Sequence, residues 1–192
     1  MALTGAPAAS AAGGPGGATP TSGGAGIGAE PVLPPPVLPQ PVLPVRRPTV
    51  PGMTAEIIHG LAYAPANAPL PVQEIIWAGD RIRFKPYAYA GGHAKWNDVG
   101  YDCSGSVSYV LHAAGLLKTS MDSSQFETWG DGGAGQWITV YTNPGHALIE
   151  VAGIRLDTSA EQDPNPARGT GPRWRPVMTN TAGYTARHPT GL

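Results

Sequence analysis

A single cysteine is the residue of this sequence best suited to covalent chemistry. Cys103 is the only cysteine among 192 residues and stands in the stretch YDCSGSVSYVLHAAGLL. A cysteine attacks a carbonyl carbon as the thiolate, so it needs surroundings that lower its pKa. The first turn of a helix offers them, because its unpaired backbone N–H groups carry partial positive charge. Cys103 is therefore a candidate nucleophile, and the alternative is a small residue packed in a core.

The residues around Cys103 predict a helix that begins at the cysteine. Apolar side chains follow at positions 107, 110, 111 and 114, which fall on one helical face. Asp102 precedes the helix as an N-cap residue, and Gly115 follows it where a C-terminal glycine belongs. The N–H groups of the first turn could also bind the oxyanion that forms when a thiolate adds to a carbonyl.

A nucleophile of this kind needs a base, and the sequence has five histidines. His59 and His188 lie near the ends of the globular part and are expected at the surface or in packing. His112 follows the cysteine by nine positions in one helix, so at about 100° per residue it lies on the opposite face. His93, after a Gly-Gly pair in the preceding loop, remains a candidate. His146, which opens a β-like run, is the best placed.

The run HALIEVAGIRLDT, residues 146–158, predicts a β-hairpin with a turn at Ala152 and Gly153. With a two-residue turn, His146 and Asp157 lie on one face of the sheet as diagonal neighbours. Asp157 could then hold the imidazole in its productive tautomer. With a three-residue turn the two side chains lie on opposite faces, and Asp157 is an ordinary solvated or capping carboxylate.

The surrounding pattern predicts an α+β fold. LPVQEIIWAGDRIRF, residues 70–84, reads as an amphipathic helix that stops before Pro86, and a loop leads from there to the cysteine helix. QWITVY, residues 136–141, and the hairpin read as strands. The tail from residue 159, rich in Pro and Gly, is expected to be an ordered loop wrapping the domain. Helices come first and strands afterwards, which is the α+β order.

The first quarter of the chain differs in composition from the rest. Residues 1–30 are rich in Gly and Ala and carry one charge, and PVLP then occurs three times within residues 31–44. Such a tract favours polyproline II and suits a stiff spacer, with a docking motif for a proline-binding partner as the alternative. We predict a disordered linker over residues 1–53 and one folded domain over residues 54–192.

Composition excludes several classes of function. The net charge is -1 and the pI is near 6.5, which gives no electrostatic case for nucleic acid or an anionic membrane. The sequence contains no run of 18 apolar residues, the length that a membrane-spanning helix needs. It also contains no Cys/His cluster with the spacing of a zinc site. The first residues lack the basic and apolar regions of a signal peptide. The expectation is a cytoplasmic protein, or a secreted one whose leader lies upstream of this start or has been removed.

Three stretches together resemble the NlpC family of papain-like bacterial cell-wall cysteine peptidases. DCSG with SVSYVLHAAGL is similar to the family's nucleophile helix, PYAYAGGH to its upstream tyrosine loop, and GHALIEVAG to its base-bearing strand. These motifs lie within residues 70–158, and GPRW with ARHPTGL resembles a subgroup with an extended C-terminus. The resemblance implies an α+β fold in which N-terminal helices, including the nucleophile helix, pack on a small antiparallel sheet.

The resemblance also implies roles for named residues. Cys103 would be the nucleophile, His146 the general base and acid, and Asp157 the residue that orients the histidine. The hydroxyl of Tyr87, or alternatively Tyr89, would position or polarise the scissile group. The family hydrolyses peptide or isopeptide bonds in peptidoglycan stem peptides, commonly between D-glutamate and a diamino acid. This implies a secreted hydrolase of the cell wall that needs no cofactor or metal.

The sequence departs from the family pattern at two positions. The third residue of the family is more often His, Asn or Gln than the Asp157 found here. Ala90 stands where a glycine is expected in the tyrosine loop. Two alternative functions stay open: a catalytically weak module that binds peptidoglycan, and a thiol amidase or transacylase that acts on a substrate outside the wall. Family members that only bind typically lack the cysteine or the histidine, and both are present here.

Overall fold

The computed structural model describes residues 47–166 and 169–192. The Gly/Ala-rich segment and the PVLP tract of residues 31–44, with the proline-binding partner suggested for it, lie outside the described residues. Within these described ranges there are three α-helices and nine β-strands. In chain order they are β1 (Thr49–Val50), β2 (Glu56–Ile58), β3 (Leu61–Pro65), α1 (Leu70–Ile82), α2 (Cys103–Ala113), α3 (Ser123–Phe126), β4 (Asp131–Gly132), β5 (Ile138–Asn143), β6 (His146–Val151), β7 (Ile154–Asp157), β8 (Arg173–Pro176) and β9 (Thr185–His188).

A six-stranded antiparallel sheet carries the residues of the hairpin. Its strand order is β4-β9-β5-β6-β7-β8, and β6 and β7 lie near its middle. Helices α1 and α2 pack against each other and on one face of the sheet, chiefly on β6. The buried core between them includes Ile75 and Ile76 of α1, Val110 of α2, and Ile149 and Leu156 of the sheet, all with no exposed surface. The α+β prediction is therefore confirmed.

Helix α2 begins and ends where the sequence predicts. The Asp102 side chain caps it by accepting a hydrogen bond from the Gly105 N–H at 2.7 Å. At the other end Gly115 has a φ of +74°, and its N–H donates to the His112 carbonyl at 2.9 Å. Its apolar stripe is buried on the sheet, which places the cysteine at one end of the helix next to β6.

Three strands precede α1, although the sequence pattern predicts helices first. They form a separate sheet of order β1-β3-β2, in which β2 and β3 are joined by a turn at His59 and Gly60. Both turn residues have positive φ, 51° and 77°, which is typical of a type I′ hairpin turn. The sequence does not signal this turn, because histidine is not a usual first residue of a type I′ turn. Thr49–Val50 lies within the predicted linker of residues 1–53, yet it pairs with β3.

The C-terminal tail is not the wrapping loop that its Pro and Gly content predicts. Arg173–Pro176 forms the edge strand β8 beside β7, and Thr185–His188 forms β9 beside β5. Trp174 of β8 packs against α1, where its Nε1 donates to Asp80 Oδ1 at 2.9 Å. Gly79 permits this, because a Cβ there would collide with the indole ring. The two strands are only four residues long and pair with distant partners, so local sequence gives little sign of them.

No helix within the described parts of the chain is both long and apolar enough to cross a membrane.

The β6-β7 turn has the two residues that the sequence predicts. Val151 pairs with Ile154, so Ala152 and Gly153 alone make the turn. Their φ values are +47° and +86°, the left-handed conformations of a type I′ turn. Because a strand alternates its faces with every residue, this turn length decides which side chains of β6 and β7 share a face.

The turn gives a prediction for stability. Gly153→Ala places a Cβ in the left-handed region and near Thr54, so the free energy of unfolding should fall by about 1 kcal/mol or more. Ala152→Gly is the matched control, since it relieves the same strain at the neighbouring residue and should raise stability by roughly 0.5 kcal/mol. Urea unfolding measures both. Equal midpoints for the two variants would contradict this account of the turn.

Candidate active site

Cys103 lies half-buried in the first turn of α2. The N-terminal end of the helix dipole favours a negative charge at this position. The cap residue Asp102 has the opposite effect, because its charge beside the thiol raises the pKa of Cys103. The helix dipole and the Asp102 charge therefore act on the thiol in opposite directions.

A close backbone contact fixes the tyrosine loop against the start of α2. A Cβ on Gly105 would collide with the Gly91 carbonyl oxygen, so only a glycine permits this approach. The Asp102 N–H donates to that carbonyl at 3.3 Å, and the Ala90 N–H donates to Asp102 Oδ2 at 3.0 Å. Ala90 has a φ of +57°, so it adopts the conformation that the glycine expected here would favour. The alanine does not displace the loop.

His146 and Asp157 meet across the hairpin. The two-residue turn puts both on one face, and His146 Nε2 lies 2.8 Å from Asp157 Oδ1. Asp157 has no exposed surface, and it also accepts hydrogen bonds from the Ser159 N–H at 2.8 Å and the Ser159 hydroxyl at 3.0 Å. With Nε2 engaged by Asp157, Nδ1 is the ring nitrogen left for other partners.

The neighbours of the thiol shift three linked pKa values. Burial alone would raise the pKa of Cys103, but the His146 ring and the Ala147 backbone N–H outweigh it and lower that pKa. Burial would lower the pKa of His146, whereas Asp157 and Cys103 together raise it to about 9. The pKa of Asp157, which burial would raise, is lowered chiefly by its hydrogen bond to His146. All three directions favour a thiolate, an imidazolium and a carboxylate.

An open cavity of about 480 Å³ lies in front of Cys103. Two carboxylates, Asp102 and Asp122, border it, and its described lining contains no Lys or Arg. Its full lining is Tyr87, Tyr89, Ala90, His93, Asp102, Cys103, Ser104, Asp122, Ser123, Ser124, Pro144 and Gly145. The cavity is thus polar, with several hydroxyl groups and the nucleophile candidate at one side.

One side of the cavity was not found by sequence reasoning. Asp122 caps the short helix α3 and forms a capping box with Gln125: their backbone N–H groups donate to each other's side chains at 2.8 Å. The signal was present in the sequence as DSSQ, which matches the capping-box pattern. What the sequence does not reveal is that Ser123 lies close to Pro144, whose carbonyl accepts from its hydroxyl at 3.1 Å.

Tyr87 lies at the rim of the cavity together with Tyr89. Tyr87 is 44% exposed and Tyr89 is 91% exposed. The strand-like bridge between Tyr87 and Tyr101 holds the former in place. Its phenol feels the site, because burial first and then the negative charges of Cys103 and Asp102 raise the pKa of Tyr87. Of the two tyrosines, Tyr87 is the one whose surroundings include the thiol.

The other histidines have different partners. His93 Nε2 lies 3.0 Å from Asp102 Oδ1 and 3.3 Å from the Ser104 hydroxyl. His112 stacks on Trp96 with ring centroids 3.9 Å apart. His188 Nδ1 lies 3.0 Å from the Gly133 carbonyl. His146 is the histidine that lies beside Asp157, as the hairpin register predicts, and it is the one that lowers the pKa of Cys103 against the effect of burial.

Among residues 47–166 and 169–192, no group of three or more His, Cys, Asp or Glu side chains is arranged to hold a metal ion.

Comparison with solved structures finds chains with partial similarity. A hypothetical invasion protein of Mycobacterium tuberculosis matches with a TM-score of 0.44 at 23% identity, over 63% of this chain and 65% of its own. RipD of the same organism, described as a non-catalytic NlpC/p60 domain protein adapted to peptidoglycan binding, matches with a TM-score of 0.44 at 24% identity, over 62% and 98%. An NlpC/P60 family protein from Bacillus cereus matches with a TM-score of 0.44 at 17% identity, over 66% and 43%.

The last two belong to the family that the motifs around Cys103 and His146 resemble. The chain spans just under two thirds of the first protein and less than half of the third. No protein-family model and no curated protein matches the sequence.

The ion pair predicts how Cys103 reacts with iodoacetamide. The pKa of the thiol is lowered, so alkylation at pH 7 should be faster than that of a free cysteine, whose pKa is about 8.5. His146→Ala removes the main stabilising neighbour and should slow alkylation at that pH by about tenfold or more. Mass spectrometry over a pH series measures both rates.

Because Cys103 is the only cysteine, Cys103→Ser gives the unlabelled blank. A rate that rises with a midpoint near 8.5 and does not respond to His146→Ala would contradict the ion pair.

Proposed function

We propose that the protein is a cysteine peptidase that hydrolyses peptide or isopeptide bonds in peptidoglycan stem peptides. The observation that carries the proposal is the hydrogen bond that holds His146 Nε2 at 2.8 Å from the buried Asp157 carboxylate. His146 is also the side chain that, against the effect of burial, lowers the pKa of the Cys103 thiol. A structural cysteine needs neither a lowered pKa nor a histidine oriented by a buried carboxylate.

The reaction follows from the charges of the ion pair. The Cys103 thiolate attacks the scissile carbonyl carbon, and the His146 imidazolium then donates its proton to the leaving amine. The products of this step are an acyl-enzyme thioester and a free amine. Neutral His146 next accepts a proton from water, which attacks the thioester, and release of the acid restores the thiolate and the imidazolium. Asp157 keeps the imidazole in place through both steps.

The substrate class rests on the motifs and is consistent with the cavity. DCSG, the tyrosine loop and the strand that begins at His146 resemble the stretches of NlpC peptidases that surround the nucleophile and base. The cavity is open and polar, which suits a hydrophilic peptide better than an apolar ligand. With this substrate, the protein acts outside the cell or in the wall. The Pro-rich residues 31–44 would then serve as a spacer ahead of the catalytic domain.

The first experiment measures release of stem-peptide fragments from purified peptidoglycan by mass spectrometry. Cys103→Ala should abolish release, because the nucleophile is absent, and should keep the fold intact. His112→Phe is a matched control that changes a histidine of the same helix while retaining an aromatic ring to stack on Trp96. Its release should stay within about threefold of the unchanged protein.

Release that survives Cys103→Ala would refute the peptidase. If the unchanged protein and Cys103→Ala both bind peptidoglycan and neither releases fragments, the binding module is favoured instead. Fast alkylation of Cys103 with no release from peptidoglycan would point to a thiol amidase or transacylase with another substrate.

The two tyrosines of the rim form a second matched pair. If the Tyr87 hydroxyl polarises the scissile group, Tyr87→Phe should lower kcat by roughly 10- to 100-fold with little change in KM. Tyr89→Phe should leave kcat nearly unchanged, because that residue lies almost wholly in solvent. Steady-state kinetics on a soluble stem peptide compare the two. A larger loss in Tyr89→Phe would transfer the role to Tyr89.

A further inference from the structure

A buried arginine lies beside Asp157 on the same strand. The Arg155 side chain has no exposed surface, and its Nη1 lies 3.4 Å from Asp157 Oδ2. Its Nη2 donates to the Glu161 carbonyl at 2.7 Å. Within the described part of the chain, Nε and Nη1 have no hydrogen-bond partner. Burying a guanidinium with unused donors is costly, so its charge must be compensated by a nearby carboxylate.

The contacts of Arg155 continue in a closed path to the candidate base. The Glu161 side chain accepts a hydrogen bond from the Tyr184 hydroxyl at 3.2 Å. The Tyr184 ring meets the His146 ring edge-on, with centroids 6.5 Å apart. His146 in turn bonds Asp157, which faces Arg155. The path therefore links strand β7 to the loop residues Glu161 and Tyr184. The His146 imidazole lies between Tyr184 and Asp157.

Two further charged groups face Arg155 from the neighbouring strands. Glu150 of β6 is its partner in the β-ladder, and Glu150 Oε1 accepts a hydrogen bond from the Met178 N–H at 2.7 Å. Arg175 of β8 is its partner on the other side, and Arg175 is paired with Asp163 at 2.7 Å. Arg175 thus has its own carboxylate, which leaves Asp157 as the carboxylate in ion-pair distance of Arg155.

We propose that Arg155 is a positioning residue of the site. Its guanidinium keeps the Asp157 carboxylate ionised and directed at His146, and it holds Glu161, and hence Tyr184, against the imidazole. This inference rests on the proposed roles of Cys103 and His146. It adds a residue that touches neither the substrate nor the thiol.

The role has a consequence that packing alone lacks. Arg155 adds a positive charge near the imidazolium, so its removal makes proton loss harder at both members of the ion pair. The rate of Cys103 alkylation, plotted against pH, should show two midpoints, one for ionisation of Cys103 and one for ionisation of His146. In Arg155→Met, both midpoints should therefore move to higher pH, by roughly half a unit or more. A variant that is only less stable would lose amplitude or melt earlier while its midpoints stayed in place.

The experiment measures the pH dependence of iodoacetamide alkylation at Cys103 in the full chain. Arg155→Met is expected to shift both midpoints to higher pH. Arg155→Lys, which keeps the charge, should leave both midpoints close to those of the unchanged protein. Arg175→Met is the matched control, because it removes a buried arginine from the adjacent strand without touching Asp157. It should lower the melting temperature and leave both midpoints unchanged.

If Arg155→Met does not fold, Arg155→Gln decides the same question, since it removes the charge and keeps a donor for the Glu161 carbonyl. Unshifted midpoints in a folded, neutral Arg155 variant would overturn the proposal, as would an equal shift in Arg175→Met. The alkylation readout needs no peptide, so it separates the two proposals. Shifted midpoints without release from peptidoglycan would refute the substrate and retain the role of Arg155.

Discussion

The site depends on one hydrogen bond, between His146 and Asp157 across a single β-hairpin. Its 2.8 Å length requires both side chains on one face of the sheet, which only an even turn such as Ala152-Gly153 provides. The bond also joins a half-buried imidazole to a carboxylate with no exposed surface. A buried charge left without its partner costs about 3–5 kcal/mol. The same contact therefore matters for the stability of the sheet and for the ionisation of the thiol.

Asp102 stabilises the structure around Cys103 but disfavours ionisation of the Cys103 thiol. It caps α2, accepts a hydrogen bond from the Ala90 N–H and contacts His93, so it connects the cysteine helix to the tyrosine loop. Its negative charge nevertheless raises the pKa of Cys103, against the helix dipole. The thiolate is favoured because His146 contributes more than Asp102 removes.

Local signals made part of this structure predictable from sequence. The helix that starts at Cys103 has a cap residue, an apolar stripe and a terminal glycine within about a dozen positions, and the hairpin has alternating faces and a recognisable turn. Strands β8 and β9 have no such signals, because each is four residues long and becomes a strand only by pairing with distant partners. For the same reason, nothing in the hairpin sequence marks Arg155 as a buried residue. Its burial comes from a covering segment whose path the sequence does not reveal.

The aspartate at the third position explains why such an arginine is needed. A neutral Asn, Gln or His at that position would orient the imidazole without adding a charge to the interior. Asp157 brings a full negative charge into a place with no exposed surface, and His146 alone balances it only while the imidazolium keeps its proton. In the proposed reaction, that proton leaves during acyl transfer. Arg155 keeps the carboxylate compensated at that moment, since its own charge does not change. Under the proposed reaction, Asp157 and Arg155 therefore act as a coupled pair, in which the arginine compensates the charge that the aspartate adds to the interior.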